Sequence, residues 1–245
     1  MSLAVHDGVA VLRIENPPVN ALGPRSVAPL LAELEAVRAE AGVTAVVLTG
    51  ANGTFSGGAD MKGFGENPPP RPNARDLIDT LEASEKPVVA AIEGVAMGGG
   101  LEVALGCDYR VAAPSARLAF PEIKRGLLPG AGGTQRAPRL IGVRAALELI
   151  VGGEPVGAAR AKEIGLVDAV EGDPLGAAIA LARSLAGQPR RRIGAMTAQP
   201  DDAAFAEARR RAQPEARGGL AEQRAIACVA DAVDLSFAEG LARER

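Results

Sequence analysis

The sequence predicts an α/β fold built on a largely parallel sheet, and three observations carry this. Short β-branched runs such as "VTAVVLTG" and "PVVAAIEGV" have the length and apolar character of strands, the first of them buried. Between them lie segments whose apolar residues recur at helical spacing. Of the 245 residues, 47% are hydrophobic and 23% charged, which is the balance of a globular protein with a sizeable core.

The elements follow in order. In "LAVHDGVAVLRI" apolar residues alternate on either side of Asp7-Gly8, which predicts a hairpin. "NPPVNAL", Asn16 to Leu22, is a turn-rich loop. Val27, Leu30, Leu31, Leu34 and Val37 keep helical spacing, and Gly42 closes that helix. "VTAVVLTG" is a buried strand, and "ANGTFSGGADMKGF" is a loop entering a short helix. The prolines of "ENPPPRPN", Glu66 to Asn73, remove donors and fix φ, so this stretch is expected to be a mobile loop or lid. "ARDLIDTLEASEK" is helical, "PVVAAIEGV" a strand, "LEVALGC" a helix and "YRVAA" a strand. This alternation is what a parallel sheet requires.

Beyond Ala113 the pattern becomes loop-rich through "RLAFPEIKRGLLPGAGGTQRAPRLIG" and then helical. "VRAALELIVGG", "GAARAKEIG" and "DPLGAAIALARSLAG" read as helices, the last started by Asp173-Pro174. "QPRRRIGAMTAQPDD", Gln188 to Asp202, reads as a linker. An Ala/Arg/Glu-rich helix, a break at Pro214 to Gly219 and a long final helix follow. In the final helix Ile226, Val229, Val233, Phe237 and Leu241 form one apolar face that must be buried. Its end, "FAEGLARER", stops while still helical and without a cap. The expected organisation is a core at residues 1–187, a linker at 188–202 and a helical segment at 203–245.

Composition excludes several functions. A net charge of −3 leaves no electrostatic footprint for nucleic acid and no polybasic membrane patch. The runs Arg190-Arg191-Arg192 and Arg209-Arg210-Arg211 read as solvated faces. Cys107 and Cys228 make neither a disulfide framework nor a metal-ligand pattern. The N-terminus lacks the basic and apolar regions of a signal peptide, and no apolar run reaches the length of a membrane span. A soluble, intracellular protein is expected. His6 is the only histidine and sits beside a turn, where a surface position is expected, so histidine-based triads and metal sites fall away. Aromatic residues are 2% of the chain and tryptophan is absent, which argues against sugar- or base-stacking sites.

Two glycine-rich junctions and two glutamates remain as candidates for chemistry. "GGADMKGF" follows one strand, and "GVAMGGGLEVALG" follows another and opens a helix. Alone, the first reads as a tight turn packed for steric reasons, and the second has the same construction. Together they offer two backbone N–H donors to one oxygen, an oxyanion hole. Neither they nor "GAGG" at Gly130 to Gly133 have the spacing of a dinucleotide fingerprint or a P-loop. Glu102 falls in the first turn of its helix, where dipole electrostatics alone would favour a carboxylate. Glu122 follows Pro121 on a loop, where a surface carboxylate is the plain reading. Taken with two donor loops, the two carboxylates make an acid–base kit for chemistry beside a carbonyl.

These motifs resemble those of the crotonase, or enoyl-CoA hydratase/isomerase, family. The resemblance runs from "PPVNAL" through "ANGTFSGGADMKGF", "KPVVAAIEGVAMGGGLEVALGCDYRVA" and "FPEIKRGLLPGAGGTQRAPRLIG" to "AKEIGLVDAV", about Leu3 to Val170. "GGGLEVALGCDYRVA" and "FAEGLARER" are similar, more narrowly, to the hydratase half of bifunctional enoyl-CoA hydratase/3-hydroxyacyl-CoA dehydrogenases.

The resemblance implies a ClpP/crotonase-like spiral of ββα units with a C-terminal helical region. It places the oxyanion-hole donors on the N–H groups of Ala59 and Gly99. The two catalytic carboxylates become Glu102 and Glu122, and the N–H of Gly130 helps to hold the catalytic water. Asp60, Met61 and Lys62 join Ala59 and Gly99 in lining the coenzyme A site, with Lys62 facing either the phosphates or solvent. The implied reaction is hydration of 2-trans-enoyl-CoA to 3-hydroxyacyl-CoA in fatty-acid β-oxidation, with Δ3-Δ2-enoyl-CoA isomerisation secondary. No metal, flavin or nicotinamide is implied, since coenzyme A belongs to the substrate. A free-standing hydratase implies a trimer or hexamer, and a piece of a bifunctional enzyme implies a monomer. The chain is expected to be such a piece, with a dehydrogenase part following. The compartment is cytoplasm in a bacterium, and peroxisome or mitochondrion in a eukaryote. Two other classes stay open: a non-catalytic crotonase-like binding protein, which the acidic balance and intact glutamate pair disfavour, and a glycosidase, which the missing aromatics disfavour.

Overall fold

The computed structural model describes residues 4–63, 70–212 and 219–245. Nine strands and nine helices are seen among these residues, and the strands form two sheets. β1 (Ala4–His6) and β2 (Val9–Ile14) form the hairpin expected at Asp7-Gly8. From β2 the larger sheet continues in parallel through β3 (Ala45–Gly50), β4 (Val88–Ile92), β6 (Tyr109–Ala112) and β9 (Ala169–Val170). The smaller sheet orders β5 (Val95–Met97), β7 (Arg117–Ala119) and β8 (Val156–Gly157).

Two isolated parallel bridges, Leu22 to Ala59 and Ser56 to Ala96, carry the smaller layer toward the loops after β2 and β3. Each long strand is therefore followed by a short extended piece in the second layer, and then by a helix. This is the ββα spiral. The helices are α1 (Pro24–Ala39), α2 (Ala74–Ala83) and α3 (Gly99–Leu105) after the first three long strands of the spiral.

The larger sheet is buried on both faces, so its strands show no polar alternation. Val46, Leu48, Val88, Ala90 and Ile92 face a cluster with Leu30 and Leu34 of α1 and Leu77 and Leu81 of α2. Ala45, Val47, Val89 and Ala91 face the other way, against Ala178 and Ala182 of α6 (Pro174–Ser184). Each Leu or Ile taken fully from water here contributes about 1.5–3 kcal/mol.

Several expectations are corrected. The stretch after Ala113 hides β7, three residues long and paired in parallel with β5. "TQRAPRLIG" and "VRAALELIVGG" belong to one element, α4 (Gly133–Gly152), which kinks at Gly142. Helix α5 (Ala158–Glu163) follows it. The final helix is two: α8 (Gly219–Asp234) and α9 (Phe237–Glu244). Ser236 starts α9 with a capping box, accepting from Glu239 N–H while its own N–H donates to the Glu239 carboxylate. The chain turns there, and both helices pack on α4: Gln135 Nε2 donates to the Cys228 carbonyl at 2.8 Å, and Phe237 lies under the guanidiniums of Arg136 and Arg139 at 5.0 and 5.3 Å.

Arg190 and Arg191 do not form a freely solvated face: the first is nearly buried and the second half-buried, each against a carboxylate. Arg190 is 6% exposed and pairs with Asp108, itself 1% exposed, at 2.9 Å. Arg191 pairs with Asp168 at 2.8 Å and lies over the Tyr109 ring at 4.1 Å. Arg209, Arg210 and Arg211, at the end of α7 (Asp202–Arg211), are exposed as expected, and so is His6. The expectations for Glu66 to Pro69 and for a break from Pro214 fall outside the described residues. No described helix is long and apolar enough to cross a membrane.

Candidate active site

Three loops meet at a cleft of about 490 Å³ between α2, α3 and the start of α4. Ala59, Asp60, Lys62, Gly99, Glu102, Glu122 and Gly130 all line it. Met61 does not. It is 46% exposed. Leu22, Ala74, Leu127 and Leu128 add apolar wall, and Arg75 adds a guanidinium.

The crossing of the first two loops explains the glycines. Gly58 has φ +102°, and a Cβ there would stand 2.8 Å from the Met97 carbonyl. The triplet Gly98-Gly99-Gly100 is bare for three separate reasons. At Gly98, φ is +51° and a Cβ would fall 2.7 Å from Glu122 Oε1. At Gly100 it would fall 2.6 Å from the Ser56 carbonyl. Only at Gly99 would a side chain enter the space before Ala59 N, at 3.4 Å. Clearance for a ligand thus falls to the middle member of the triplet.

Ala59 N–H and Gly99 N–H donate to no protein acceptor among the described residues, and the same holds for Gly130 N–H. Their neighbours are spoken for: Gly58 N–H donates to Ser56 Oγ, and Asp60 N–H to the Leu22 carbonyl. Three unpaired donors on one cleft are uncommon in a folded interior. Gly99 is the first residue of α3, so its N–H has no intrahelical partner.

The two carboxylates sit among these donors in different surroundings. Glu102 is 3% exposed, and its Oε1 accepts from Ala131 N–H at 2.7 Å and Gly133 N–H at 2.8 Å. Glu122 projects from a 3-10 turn, Pro121–Arg125, and its Oε2 is buried with no hydrogen-bond partner among the described residues. Burial pushes Glu102 up to about 8, helped by the charges of Glu244 and Glu122 and opposed by its two amide donors. Burial likewise pushes Glu122 up to about 7. The hydrogen bonds distinguish the two carboxyls: two short amide bonds stabilise a carboxylate at Glu102, while Glu122 Oε2 has no partner among the described residues.

A third carboxylate, Glu244, comes from α9. It accepts from Gly132 N–H at 2.7 Å, Thr134 N–H at 3.1 Å and Thr134 Oγ1 at 2.5 Å. Burial raises its pKa as well. Sequence reasoning missed it, and also missed Arg75, whose Nε donates to the Gly130 carbonyl at 2.6 Å. No local signal marks either residue, since the partners lie 110 or more positions from Glu244 and 55 from Arg75. No cluster of three metal-ligating side chains occurs among the described residues.

Unpaired backbone donors and two carboxyls with raised pKa values thus line one cleft on a two-layer ββα spiral. The chain belongs to the enoyl-CoA hydratase/isomerase family, whose model matches residues 4–223. It is 45% identical over 248 residues to a peroxisomal bifunctional enzyme of Danio rerio, an alignment that takes in 98% of this chain and 34% of that one. The chain thus spans about a third of that relative's length. It is also 43% identical over 173 residues to a probable enoyl-CoA hydratase of Bacillus subtilis (strain 168), covering 68% of this chain and 67% of that one. The crystal structure of an enoyl-CoA hydratase from Bacillus anthracis superposes with a TM-score of 0.69 at 31% identity, over 99% of this chain and 87% of that one.

Proposed function

We propose that this chain hydrates a 2-trans-enoyl-CoA thioester to a 3-hydroxyacyl-CoA, as in fatty-acid β-oxidation. The observation that carries the reading is the pair of unpaired N–H groups, Ala59 and Gly99, beside Glu102 and Glu122 in one cleft. The thioester oxygen accepts from both N–H groups. Ionised Glu102 takes a proton from water, and the hydroxide adds to C3. The electron pair of the C2–C3 double bond moves onto the thioester oxygen, giving an enolate. Protonated Glu122 then delivers its proton to C2. Glu102 ends protonated and Glu122 ionised, and a proton passed back through solvent resets the pair. Donors fixed at the oxygen hold the enolate better than the neutral thioester, which is where rate is gained. Gly130 N–H lies on the same cleft and serves to hold the attacking water.

This chemistry is complete without a metal, flavin or nicotinamide. Asp60 and Lys62 line the same cleft and serve the coenzyme A part of the substrate. Met61, exposed beside them, is the weakest member of that set. The unsupported Glu122 Oε2 also favours a second activity: a carboxyl that readily holds or loses its proton can carry one between C4 and C2, giving Δ3-Δ2 isomerisation. In a longer protein, residues 1–187 would carry this site, 188–202 would link it to 203–245, and a dehydrogenase part would accompany it. The relative's 34% coverage and the word bifunctional in its name support that part of the reading. In a eukaryotic source the same name points to the peroxisome.

Hydration of crotonyl-CoA, followed by loss of the conjugated thioester absorbance, tests the proposal in wild type, Glu102→Gln and Glu122→Gln. Each substitution is expected to lower kcat by about 10²–10⁴, the usual worth of a general acid or base. Near-normal hydration in both variants would end the reading.

A further inference from the structure

Turn 130–134 holds two carboxylates at once. Its successive amides alternate: Ala131 and Gly133 N–H donate to Glu102, while Gly132 and Thr134 N–H donate to Glu244. A peptide unit is rigid, so fixing its carbonyl fixes its N–H. The carbonyl of the Gly130–Ala131 unit is held by Arg75 Nε at 2.6 Å, and that of the Ala131–Gly132 unit by Arg136 at 2.9 Å. Arg136 is in turn fixed by Glu82, at 2.8 Å through two nitrogens. Gly132 permits this, since a Cβ there would fall 1.7 Å from the Arg136 guanidinium.

Helix α9 is seated firmly enough to present Glu244 to the turn. Phe237 lies under Arg136, and a Cβ at Gly240 would stand only 2.0 Å from Gln135 Oε1. The amides that grip Glu102 alternate along one short turn with those held by Glu244, so Glu244 restrains the units on either side of them.

We infer that Glu244 is a positioning residue for Glu102, acting through the alternating amides of residues 131–134. The inference rests on the hydratase reading for its rate effect, and on the geometry alone for its effect on Glu102. Glu244 faces charged or titratable groups from every element packed on it. These are Arg75 and Asp79 of α2, Glu102 of α3, Glu122 of the 3-10 turn, Arg136 of α4, Cys228 of α8, and the adjacent Arg245. Its charge raises Glu102 and Glu122 alike, so removing the charge should lower both.

The test compares wild type, Glu244→Ala, Glu244→Gln and the surface control Arg243→Ala in the full chain. Crotonyl-CoA kinetics are measured against pH, with a ¹³C NMR titration of the Glu102 carboxyl. Glu244→Ala is expected to lower kcat by about 10–100-fold while KM moves less than about threefold, the pattern of a group acting on the transition state. Glu244→Gln keeps one accepting oxygen and should recover much of that loss. In it both limbs of the kcat/KM profile should move to lower pH by about half a unit or more, and the Glu102 midpoint should fall with them.

If the Glu244 variants lose only thermal stability, with kcat per folded molecule, pH limbs and the Glu102 midpoint unchanged, the inference is overturned. So it is if Arg243→Ala has the same effect on kcat. A wild type that turns over no enoyl thioester would sink the hydratase reading instead. The Glu102 midpoint would then still decide the positioning role.

Discussion

Replacing Glu122 with Gln should remove activity and yet lessen the loss of stability at alkaline pH. Burial holds this carboxyl at about 7 against an ordinary 4.5. The folded pKa lies above the unfolded one, so between the two values the folded state binds the extra proton. The stabilisation from that proton is fully present below about pH 4.5 and is lost as pH rises through 7. Moving a pKa from 4.5 to about 7 corresponds to about 3 kcal/mol. The charge of Glu122 also raises Glu102, so its removal relieves that carboxyl too. Against this, the Gln amide would be buried beside no partner, at a cost of about 1–3 kcal/mol that does not depend on pH. The readout is therefore the change between pH values, not the absolute stability. Urea unfolding of wild type and Glu122→Gln at about pH 5 and about pH 8.5 should show the wild type losing up to about 3 kcal/mol more than the variant. Parallel profiles would refute the claim that burial charges the fold for this carboxylate.

Two further outcomes follow from the packing. In Gly99→Ala the new methyl would meet Ala59 N at 3.4 Å and Ala74 Cβ and Leu22 Cδ1 at 3.7 Å, ordinary contacts at a helical φ. The melting temperature should hold while kcat for crotonyl-CoA falls about 10²–10³, since the methyl enters the space the proposed reaction gives to the oxyanion, and full activity would remove Gly99 from the site. Arg190→Ala leaves Asp108 buried with one remaining donor, Val88 N–H, and should cost about 3–5 kcal/mol in urea unfolding, whereas a cost under about 1 kcal/mol would return Arg190 to the solvated surface.

What the sequence revealed of the fold was whatever is encoded locally. The Asp7-Gly8 hairpin, the apolar spacing of α1 and the buried runs at β3 and β4 are local patterns, and the structure has each of them. β7 escaped because three residues are too few to show a period of two, and its pairing with β5 lies in the tertiary structure. The break between α8 and α9 does have a local signal: Ser236-Phe237-Ala238-Glu239 is a capping box in the sequence itself. Arg190 and Arg191 could not be read, because an arginine run looks the same whether it faces water or buried carboxylates. Their partners, Asp108 and Asp168, lie 82 and 23 positions away. For the site, residue pattern brought two glycine-rich junctions and the carboxylates Glu102 and Glu122 under consideration, the family resemblance singled out Ala59, Gly99 and Gly130, and all five residues line one cleft. Glu244 stayed hidden because its partners are backbone amides, which carry no residue signature.

That asymmetry has a physical origin. With one histidine in the chain, acid–base chemistry near neutral pH falls to carboxyls, and a carboxyl titrates there only if its charged form is disfavoured. Burial does this for Glu102, but burial alone would also prevent Glu102 from ever ionising. The remedy must stabilise charge without returning water, and backbone N–H groups can do so at fixed positions. A turn that aims alternate amides at one carboxylate leaves the intervening amides pointing away, where they too need acceptors. Glu244 supplies those acceptors from the C-terminal helix. The C-terminal helix thus reaches the core at the turn where the general base of the proposed reaction is set.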